Sequence, residues 1–257
     1  MPIVVADPWF WAAAIPAVIL VGLSKGGLGG AAGFLGVPMM ALTVSPLQAA
    51  AILLPILIVM DLVSLWTWRG WHDRALLWQT LPGSLLGIGI GWATASMVSA
   101  DMVRLLLGVV AIVFVARWLA GLAQGGPVKP ARPDARRGAF WGTVAGFTSF
   151  VAHAGGPPFQ VYMLPLRLDP RVFTGTGVVF FAVTNMVKLG PYLALGQFDG
   201  VNIATSLALM PLAPLATLAG AWVVKRMRPG LFYPLTYVTM SLVALKLVWD
   251  GLVAVTA

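Results

Sequence analysis

The sequence of 257 residues contains no cysteine, no glutamate and few charges of either sign. The lack of cysteine excludes disulfides, thiolate metal sites and cysteine nucleophiles. Charged residues make up only 9% of the chain, whereas hydrophobic residues make up 60% and the mean hydropathy is +0.92. Soluble domains average roughly 45–50% apolar and 25% charged residues. The composition therefore predicts an all-α integral membrane protein.

The formal net charge of +8 could indicate a surface that binds nucleic acid. The basic residues, however, stand in short loops between apolar segments, where Lys and Arg mark the cytoplasmic side of a membrane protein. We therefore expect the lipid bilayer as the surroundings of this chain and no nucleic-acid partner.

Two glycine-rich breaks interrupt the apolar segments. The first, SKGGLGGAAGFLG, covers residues 24–36, and the second, FVAHAGGPPFQ, covers residues 150–160. Glycine costs ~1 kcal/mol per helical position relative to alanine. In a bilayer, irregular backbone persists only where protein or a water-filled cavity satisfies its polar groups. We interpret the breaks as two halves of one buried site.

The second half of the chain repeats the first at an offset of 124 residues, which becomes 129 after one loop. The offsets pair Gly22 with Gly146, Pro46 with Pro170 and Gly91 with Gly220. Each copy is predicted to contain a re-entrant pair of short helices around its break and three spanning helices. Copy one, 1–122, has the pair at 9–44, with short segments at about 9–23 and 31–44, and helices at 47–68, 76–96 and 102–122. The linker is 123–137. Copy two, 138–257, has the pair at 138–168, with short segments at about 138–152 and 157–168, and helices at 171–192, 201–224 and 231–251.

The loop charges predict that the two copies are inverted in the membrane. In copy one the basic segments are 69–74 and the linker, whereas in copy two they are 167–171 and 225–228, so equivalent loops differ in charge. The positive-inside rule then requires an odd number of crossings per copy, a cytoplasmic linker and both termini outside. Inverted repeats of this kind are the architecture of many secondary transporters.

The breaks contain the candidates for anion binding. Lys25 would bind an anion at membrane depth, or would lie near the surface if the hairpin is shallow. Helix N-termini starting near 30–33 and at Pro157 would face each other and bind an anion, unless the glycines only allow close packing. The predicted set is Lys25, Gly26, Gly27, Gly29, Gly30, His153, Gly155, Gly156, Gln160, Asn185 and Lys188, with Thr148 and Thr184 as weaker neutral candidates.

Asp61 is the only carboxylate near the middle of a predicted helix. The repeat places Asn185 at the equivalent position, and Lys188 follows one turn later on the same face. Asp61 could couple protons to transport, or it could only neutralise Lys25 or Lys188; both alternatives stay open. His153 could titrate or donate to an anion, or it could be a hydrogen-bonded loop residue.

The segments GLSKGGLGGAAGFLGVPMM and AHAGGPPFQVYMLPLRLDPRVFTGTGVVFFAVTNMVKLGPY resemble the TauE/SafE sulfite-exporter family of bacterial membrane proteins. The resemblance covers essentially the whole chain, and its more specific parts are the Gly-Gly-Pro turn with Tyr-Met-Leu-Pro downstream and the Val-Thr-Asn-Met-Val-Lys run. The first break departs from the family, since it reads GGLGGAAG where many members show GGG. The resemblance implies transport, usually export, of small organosulfur or sulfur oxyanions such as sulfite, sulfoacetate or other sulfonates.

We therefore expect a transporter of the bacterial inner membrane that exports such an anion by alternating access. The anion would bind at the midplane between the two breaks, with coupling to protons through Asp61 or His153 or to the membrane potential alone. Uptake or a passive channel is the main alternative. An embedded enzyme is less favoured, because the chain has two histidines, no cysteine and no Gly-x-Ser-x-Gly elbow. We expect no catalytic residue, cofactor or metal; a structural subunit and a homodimer stay open.

Overall fold

The computed structural model describes residues 4–27, 33, 35–95, 97, 112 and 130–256, and these residues form helices and no strands. The helices are α1 Pro8–Lys25, α2 Gly36–Met40, α3 Pro46–Thr67, α4 Arg74–Ala93, α5 Ala135–Ala152, α6 Gly156–Met163 with the 3-10 turn Leu164–Leu166, α7 Pro170–Ala194, α8 Gly200–Leu209, α9 Leu212–Arg226 and α10 Pro229–Thr256. The all-helical prediction is confirmed for this part of the chain. The predicted helix at 102–122 lies outside it, apart from residue 112.

Three of the described helices, α1, α3 and α7, are long and apolar enough to cross a membrane. The bent pair of α8 and α9 adds a fourth if it is counted as one span, with an angle of 45° between its parts. The bend falls at Pro211, because proline cannot donate the helical hydrogen bond and clashes with the preceding turn.

The helices beside the first break differ in length from the prediction. α1 has 18 residues, about 27 Å at 1.5 Å per residue, and counts as a candidate span rather than as a half-length segment at 9–23. α2 has only 5 residues where the sequence predicted 31–44. After Met40 the chain makes turns until Ser45, whose side chain caps α3. The second arm is therefore little more than one helical turn, followed by a turn segment.

Aspartates at the helix starts account for most of the acidic residues. Five of the eight acidic residues accept a hydrogen bond from the first turn of a helix, which satisfies a backbone N–H that would otherwise lack a partner. These caps are Asp7, Asp73, Asp134, Asp169 and Asp199. Asp61 has no such role, because it lies in the interior of α3 and is buried.

Glycines bring the helices of the two halves into close contact. α1 packs on α9 and α4 packs on α5, whereas α3 and α7 contact each other and also contact α9 and α4, respectively. A Cβ atom at Gly26 would overlap the carbonyl oxygen of Thr217 in α9, and one at Gly87 would overlap that of Thr143 in α5. Small residues allow such approach in membranes, where packing rather than hydrophobic burial holds helices together.

The second break is the tip of a hairpin. After α6 the chain returns to the beginning of α5, where the backbone N–H of Ala131 donates to the carbonyl oxygen of Pro165 at 2.9 Å. The Tyr162 hydroxyl donates to the side chain of Gln79 in α4 at 2.6 Å. The break at 153–155 is thereby held inside the protein, between two buried apolar clusters.

Candidate functional site

A cavity of about 80 Å³ lies where the two breaks meet. Its polar lining consists of Ser24 and Lys25 from α1, and of Ser149, His153, Gln160, Thr174 and Asn185 from the second half of the chain. The apolar lining includes Phe159, Phe173 and Phe181. Pockets for drug-sized ligands measure about 300–1,000 Å³. This cavity therefore suits a ligand of only a few heavy atoms.

Lys25 forms an ion pair in the wall of the cavity. Its Nζ lies 2.5 Å from Oδ1 of Asp61, and the Asn185 amide donates to Oδ2 of the same carboxylate at 2.6 Å. The side chains of Lys25 and Asp61 are 15% and 4% exposed. The ammonium also lies 5.2 Å from the centre of the Phe181 ring. Of the two lysines considered from the sequence, Asp61 thus pairs with Lys25 and not with Lys188.

Lys188 lies behind the cavity wall and is fully buried. Its Nζ lies 3.0 Å from the carbonyl oxygen of Ser149, 3.1 Å from the hydroxyl oxygen of the same residue and 2.8 Å from Nδ1 of His153. Nε2 of His153 lies 2.9 Å from the carbonyl oxygen of Ala50. Because a carbonyl can only accept, Nε2 carries the proton and Nδ1 accepts from Lys188. Lys188 therefore contacts two residues that line the cavity, without lining it itself.

Side chains of α3 donate hydrogen bonds to the backbone carbonyl groups at the end of α1. The Ser64 hydroxyl donates to the carbonyl oxygen of Lys25 at 3.3 Å, and the Trp68 indole N–H donates to that of Gly26 at 3.0 Å. Carbonyl groups at a helix end have no partner within the helix, and in a bilayer water cannot replace it. The two bonds therefore allow α1 to end inside the protein.

The end of α5 is satisfied in the same way by side chains of α7. Lys188 donates to the carbonyl oxygen of Ser149 at 3.0 Å, and the Tyr192 hydroxyl donates to that of Phe150 at 2.9 Å. His153 follows in the left-handed conformation, with φ of 50°, and its ring stacks on Tyr192 with a centroid distance of 6.0 Å. These contacts fix the position of the imidazole in the wall of the cavity.

The predicted glycines divide into two groups. Gly27 and Gly156 line the cavity. Gly26 packs against α9 and Gly155 against Ser149 in α5, which is the close-packing role that the sequence left as the alternative. Gly29 and Gly30 lie outside the described residues.

The two predicted helix starts differ in outcome. α6 begins at Gly156, close to the predicted start at Pro157, and Gly155 is its N-cap. Pro157 and Pro158 have no N–H to offer, so few backbone donors are left at this end. α2 begins at Gly36, and with 5 residues it has little helix dipole. Of the predicted start at 30–33, only Gly33 lies within the described residues, in a 3-10 conformation.

Sequence reasoning missed several residues of the lining. Thr148 and Thr184 were candidates, but their hydroxyls bond to Val144 and Ser84, away from the cavity. Ser149, the neighbour of Thr148, lines it instead. At the offset of 124 residues, Ser149 is the position equivalent to Lys25 in the proposed repeat. The repeat therefore contained a signal for Ser149, whereas nothing in the sequence singled out Ser24, Thr174 or the phenylalanines.

Residues 14–247 match the family model for the sulfite exporter TauE/SafE. The chain belongs to the TauE/SafE sulfite exporter family. Neither a curated protein nor a solved structure matches it. The resemblance stated from the sequence is thus confirmed. Membership in this transporter family, together with the apolar helices, makes the TauE/SafE chain a multi-pass membrane protein.

Proposed function

We propose that the protein exports a small organosulfur or sulfur oxyanion, of the class of sulfite, sulfoacetate and related sulfonates, across the bacterial inner membrane. The observation that carries this proposal is the cavity at the breaks, where Lys25 meets side-chain donors from the other half of the chain. Family membership supports the sulfur chemistry of the substrate.

The donors in the cavity suit an oxyanion. Lys25 supplies an ammonium, Asn185 an amide and Ser149 a hydroxyl, and sulfur oxyanions carry several oxygens that accept hydrogen bonds. Asp61 is held on Lys25 and Asn185 and does not line the cavity. Thr174 is buried, and its hydroxyl oxygen has no hydrogen-bond partner within the described residues. Such a group favours a polar ligand next to it.

The hydrogen bonds at the two helix ends support the proposed inverted repeat. At the offset of 124 residues, Ser64 corresponds to Lys188 and Trp68 corresponds to Tyr192. The carbonyl groups to which these side chains donate correspond as well. The offset comes from the sequence and the bonds come from the structure, so their agreement is an independent argument for two copies around one axis.

The positions of Asp61 and Asn185 support an axis through the site. The two residues are equivalent at the same offset, and they hydrogen-bond to each other at 2.6 Å. Equivalent residues touch where a twofold axis passes between them. In this arrangement the cavity lies close to the junction of the two copies, where secondary transporters bind their substrates.

The contacts between basic loops support the predicted orientation. Lys225 donates to the carbonyl oxygen of Thr67, and Arg171 lies over the ring of Trp71 at 5.0 Å. The linker residue Ala131 bonds to the turn after α6. The basic segments of both copies therefore share one face, which we assign to the cytoplasm by the positive-inside rule.

The opposite face has few bases and includes the N-terminal segment. The backbone N–H of Val5 donates to the side chain of Thr205 at 3.1 Å, and the Gln48 amide donates to that of Asn202 at 3.0 Å. α10 starts next to the basic segment at 225–228 and runs for 28 residues, about 42 Å, which is enough to cross the bilayer. Both termini would then be periplasmic.

A flux measurement with purified protein in liposomes tests the proposed function. Vesicles loaded with labelled sulfite or sulfoacetate should lose the label faster with wild-type protein than with Lys25→Met, because the variant lacks the only ammonium that lines the cavity in the described residues. Arg228→Gln, which removes an exposed charge on the basic face, is the matched control and should retain flux. Equal flux in all three proteins and in empty vesicles would refute transport through this cavity.

An imposed potential and pH gradient separate export from the passive alternative. A coupled exporter should accumulate the anion against its gradient when the driving force is applied. A channel would only equilibrate it, and such a result would leave the anion site in place but overturn alternating access.

A further inference from the structure

We propose that Lys188 is the proton-binding site of the transporter, neutral when the cavity is empty and protonated when an anion is bound. This inference rests on the proposed function, because the anion in the cavity is the ligand to which the proton is linked. It assigns the proton to a lysine behind the wall rather than to Asp61 or His153.

The hydrogen bonds around Lys188 are complete for either protonation state. The carbonyl oxygen of Ser149 accepts, and Nδ1 also accepts in the neutral His153 ring that carries its proton on Nε2, so Lys188 donates one N–H to each. The third neighbour, the hydroxyl of Ser149, can accept or donate. An ammonium donates its third N–H to this oxygen, whereas a neutral amine accepts the hydroxyl proton on its lone pair. Lys188 can thus be protonated and deprotonated without movement of any heavy atom.

The hydroxyl of Ser149 connects the proton to the cavity. Ser149 lines the cavity and touches Lys188. With a neutral Lys188 the hydroxyl proton points at Nζ, and the oxygen offers only lone pairs to the cavity, which disfavours an anion. With an ammonium the oxygen accepts from Nζ, and its own proton is free to turn to the anion. Protonation of Lys188 therefore adds a donor to the anion site.

The charges around Lys188 favour the same linkage. Four titratable groups lie near Lys188 on the elements packed around it: Lys25 of α1, Asp61 of α3, His153 of the break and Tyr192 of its own helix. The remaining charged groups stand at helix starts: Arg74 of α4, Arg136 and Arg137 of α5, and Arg171 of its own helix. Within the described residues the only ion pair is that of Lys25 with Asp61, and Lys188 contacts no carboxylate. A buried charge without a counter-ion is costly, so the ammonium is favoured when a bound anion supplies the opposite charge.

The step balances in charge and protons. The neutral amine of Lys188 takes up one proton from the solution that fills the open cavity, and one anion binds beside the resulting ammonium. No covalent bond other than the N–H bond forms or breaks. Release of both to the other side restores the amine. One proton therefore moves together with one monovalent anion, and the transport step carries no net charge. Its direction follows the combined concentration gradients of the anion and the proton, so export runs outward where the internal anion concentration outweighs the inward proton gradient.

Binding of methanesulfonate to the purified protein tests this linkage. Methanesulfonate is a monovalent anion that does not itself titrate near neutral pH, so every proton taken up enters the protein. Calorimetry in buffers with different heats of ionisation, between about pH 6 and about pH 9, gives the number of protons per anion. We expect uptake that approaches about one proton on the alkaline side, with affinity falling roughly tenfold per pH unit there.

Three variants identify the proton site. Lys188→Arg keeps a permanent positive charge and should bind the anion without proton uptake. Asp61→Asn and His153→Gln remove the other two candidates and should retain the uptake, whatever their affinity. If Lys188→Arg does not fold in the fully buried position, the wild-type protein and the other two variants still decide the matter.

The outcomes distinguish the linkage from the anion site itself. Anion binding without proton uptake by the wild-type protein at every pH overturns the role of Lys188 but leaves the proposed anion site intact. Loss of uptake in His153→Gln or Asp61→Asn assigns the proton to that residue and likewise overturns it. Absence of binding by methanesulfonate, sulfite and sulfoacetate alike contradicts the proposed function before the linkage is reached.

Discussion

Removal of either member of the Lys25–Asp61 pair should destabilise the protein more than removal of both. Asp61 is held by two short contacts, 2.5 Å to Lys25 and 2.6 Å to Asn185, and its side chain is only 4% exposed. In Lys25→Met the carboxylate keeps its charge but retains only the amide as a partner. Breaking a buried ion pair from one side costs about 3–5 kcal/mol, and we expect the loss in free energy of unfolding to lie in this range.

The complementary variant, Asp61→Asn, should lose less. It leaves the ammonium of Lys25 without a counter-ion, but that side chain is 15% exposed to the cavity and lies 5.2 Å from the ring of Phe181. Water and the ring each offset part of the lost attraction, since a cation–π contact contributes about 0.5–2 kcal/mol. We therefore place this variant at the lower end, about 3 kcal/mol. The double variant contains neither charge, and we expect it to be more stable than either single variant.

Equilibrium unfolding of the four proteins in mild detergent measures these differences as a double-mutant cycle. Sulfite or methanesulfonate at one fixed concentration, about one hundred times its dissociation constant for the wild-type protein, should add about 2.7 kcal/mol to the stability of the wild-type protein. It should bind Asp61→Asn most tightly, because there the anion replaces the missing carboxylate beside Lys25. Additive losses in the double variant, or equal stabilisation of all four proteins by the anion, would refute the pairing of Lys25 with Asp61 as a determinant of the site.

Three further predictions concern packing, the helix ends and orientation. Gly87→Ala should lower the thermal unfolding midpoint, because its Cβ would overlap a carbonyl oxygen of α5. Gly89→Ala in the same helix has nothing within 4 Å of its Cβ and should raise the free energy of unfolding by up to ~1 kcal/mol. A more stable Gly87→Ala than Gly89→Ala would contradict the packing of α4 on α5. Tyr192→Phe should lose about 1–3 kcal/mol of unfolding free energy, because it leaves a buried carbonyl unsatisfied, and an unchanged midpoint would show that water replaces the hydroxyl. Because the chain has no cysteine, single cysteines report the orientation. Gln197→Cys should react with an impermeant thiol reagent added outside intact cells, whereas Arg228→Cys should react only after lysis. The opposite pattern would show that the predicted orientation is wrong.

The sequence predicted the helices well where apolar length and capping agree. α3 and α7 follow Ser-Pro and Asp-Pro starts, and they run at Pro46–Thr67 and Pro170–Ala194 against the predicted 47–68 and 171–192. α2 was predicted too long, because an apolar composition does not reveal that the chain turns after Met40. Local signals therefore fix the starts of the long helices but not the length of a short arm held by its neighbours.

The candidate site was predicted in part for a similar reason. The charged residues at membrane depth stood out, because burying them is costly anywhere in a bilayer. Their partners did not, because the direction of a side chain depends on how the helices cross. Asn185 and Lys188 share one face of α7, yet the former reaches Asp61 in α3 and the latter reaches Ser149 in α5. The two side chains meet different environments because α7 packs on both α3 and α5.

The proposed repeat explains why two lysines in one site need not perform the same task. Lys25 and Ser149 occupy equivalent positions, as do Ser64 and Lys188, so lysine and serine are exchanged between the copies. In both copies the residue on the spanning helix donates to the carbonyl oxygen of the residue at the break. The copy with lysine at the break places a charge in the cavity, paired with a carboxylate. The copy with lysine on the spanning helix places it behind the wall, where no carboxylate among the described residues meets it. In the proposed arrangement, a symmetric framework would provide one fixed cation for the anion and one whose proton can follow it.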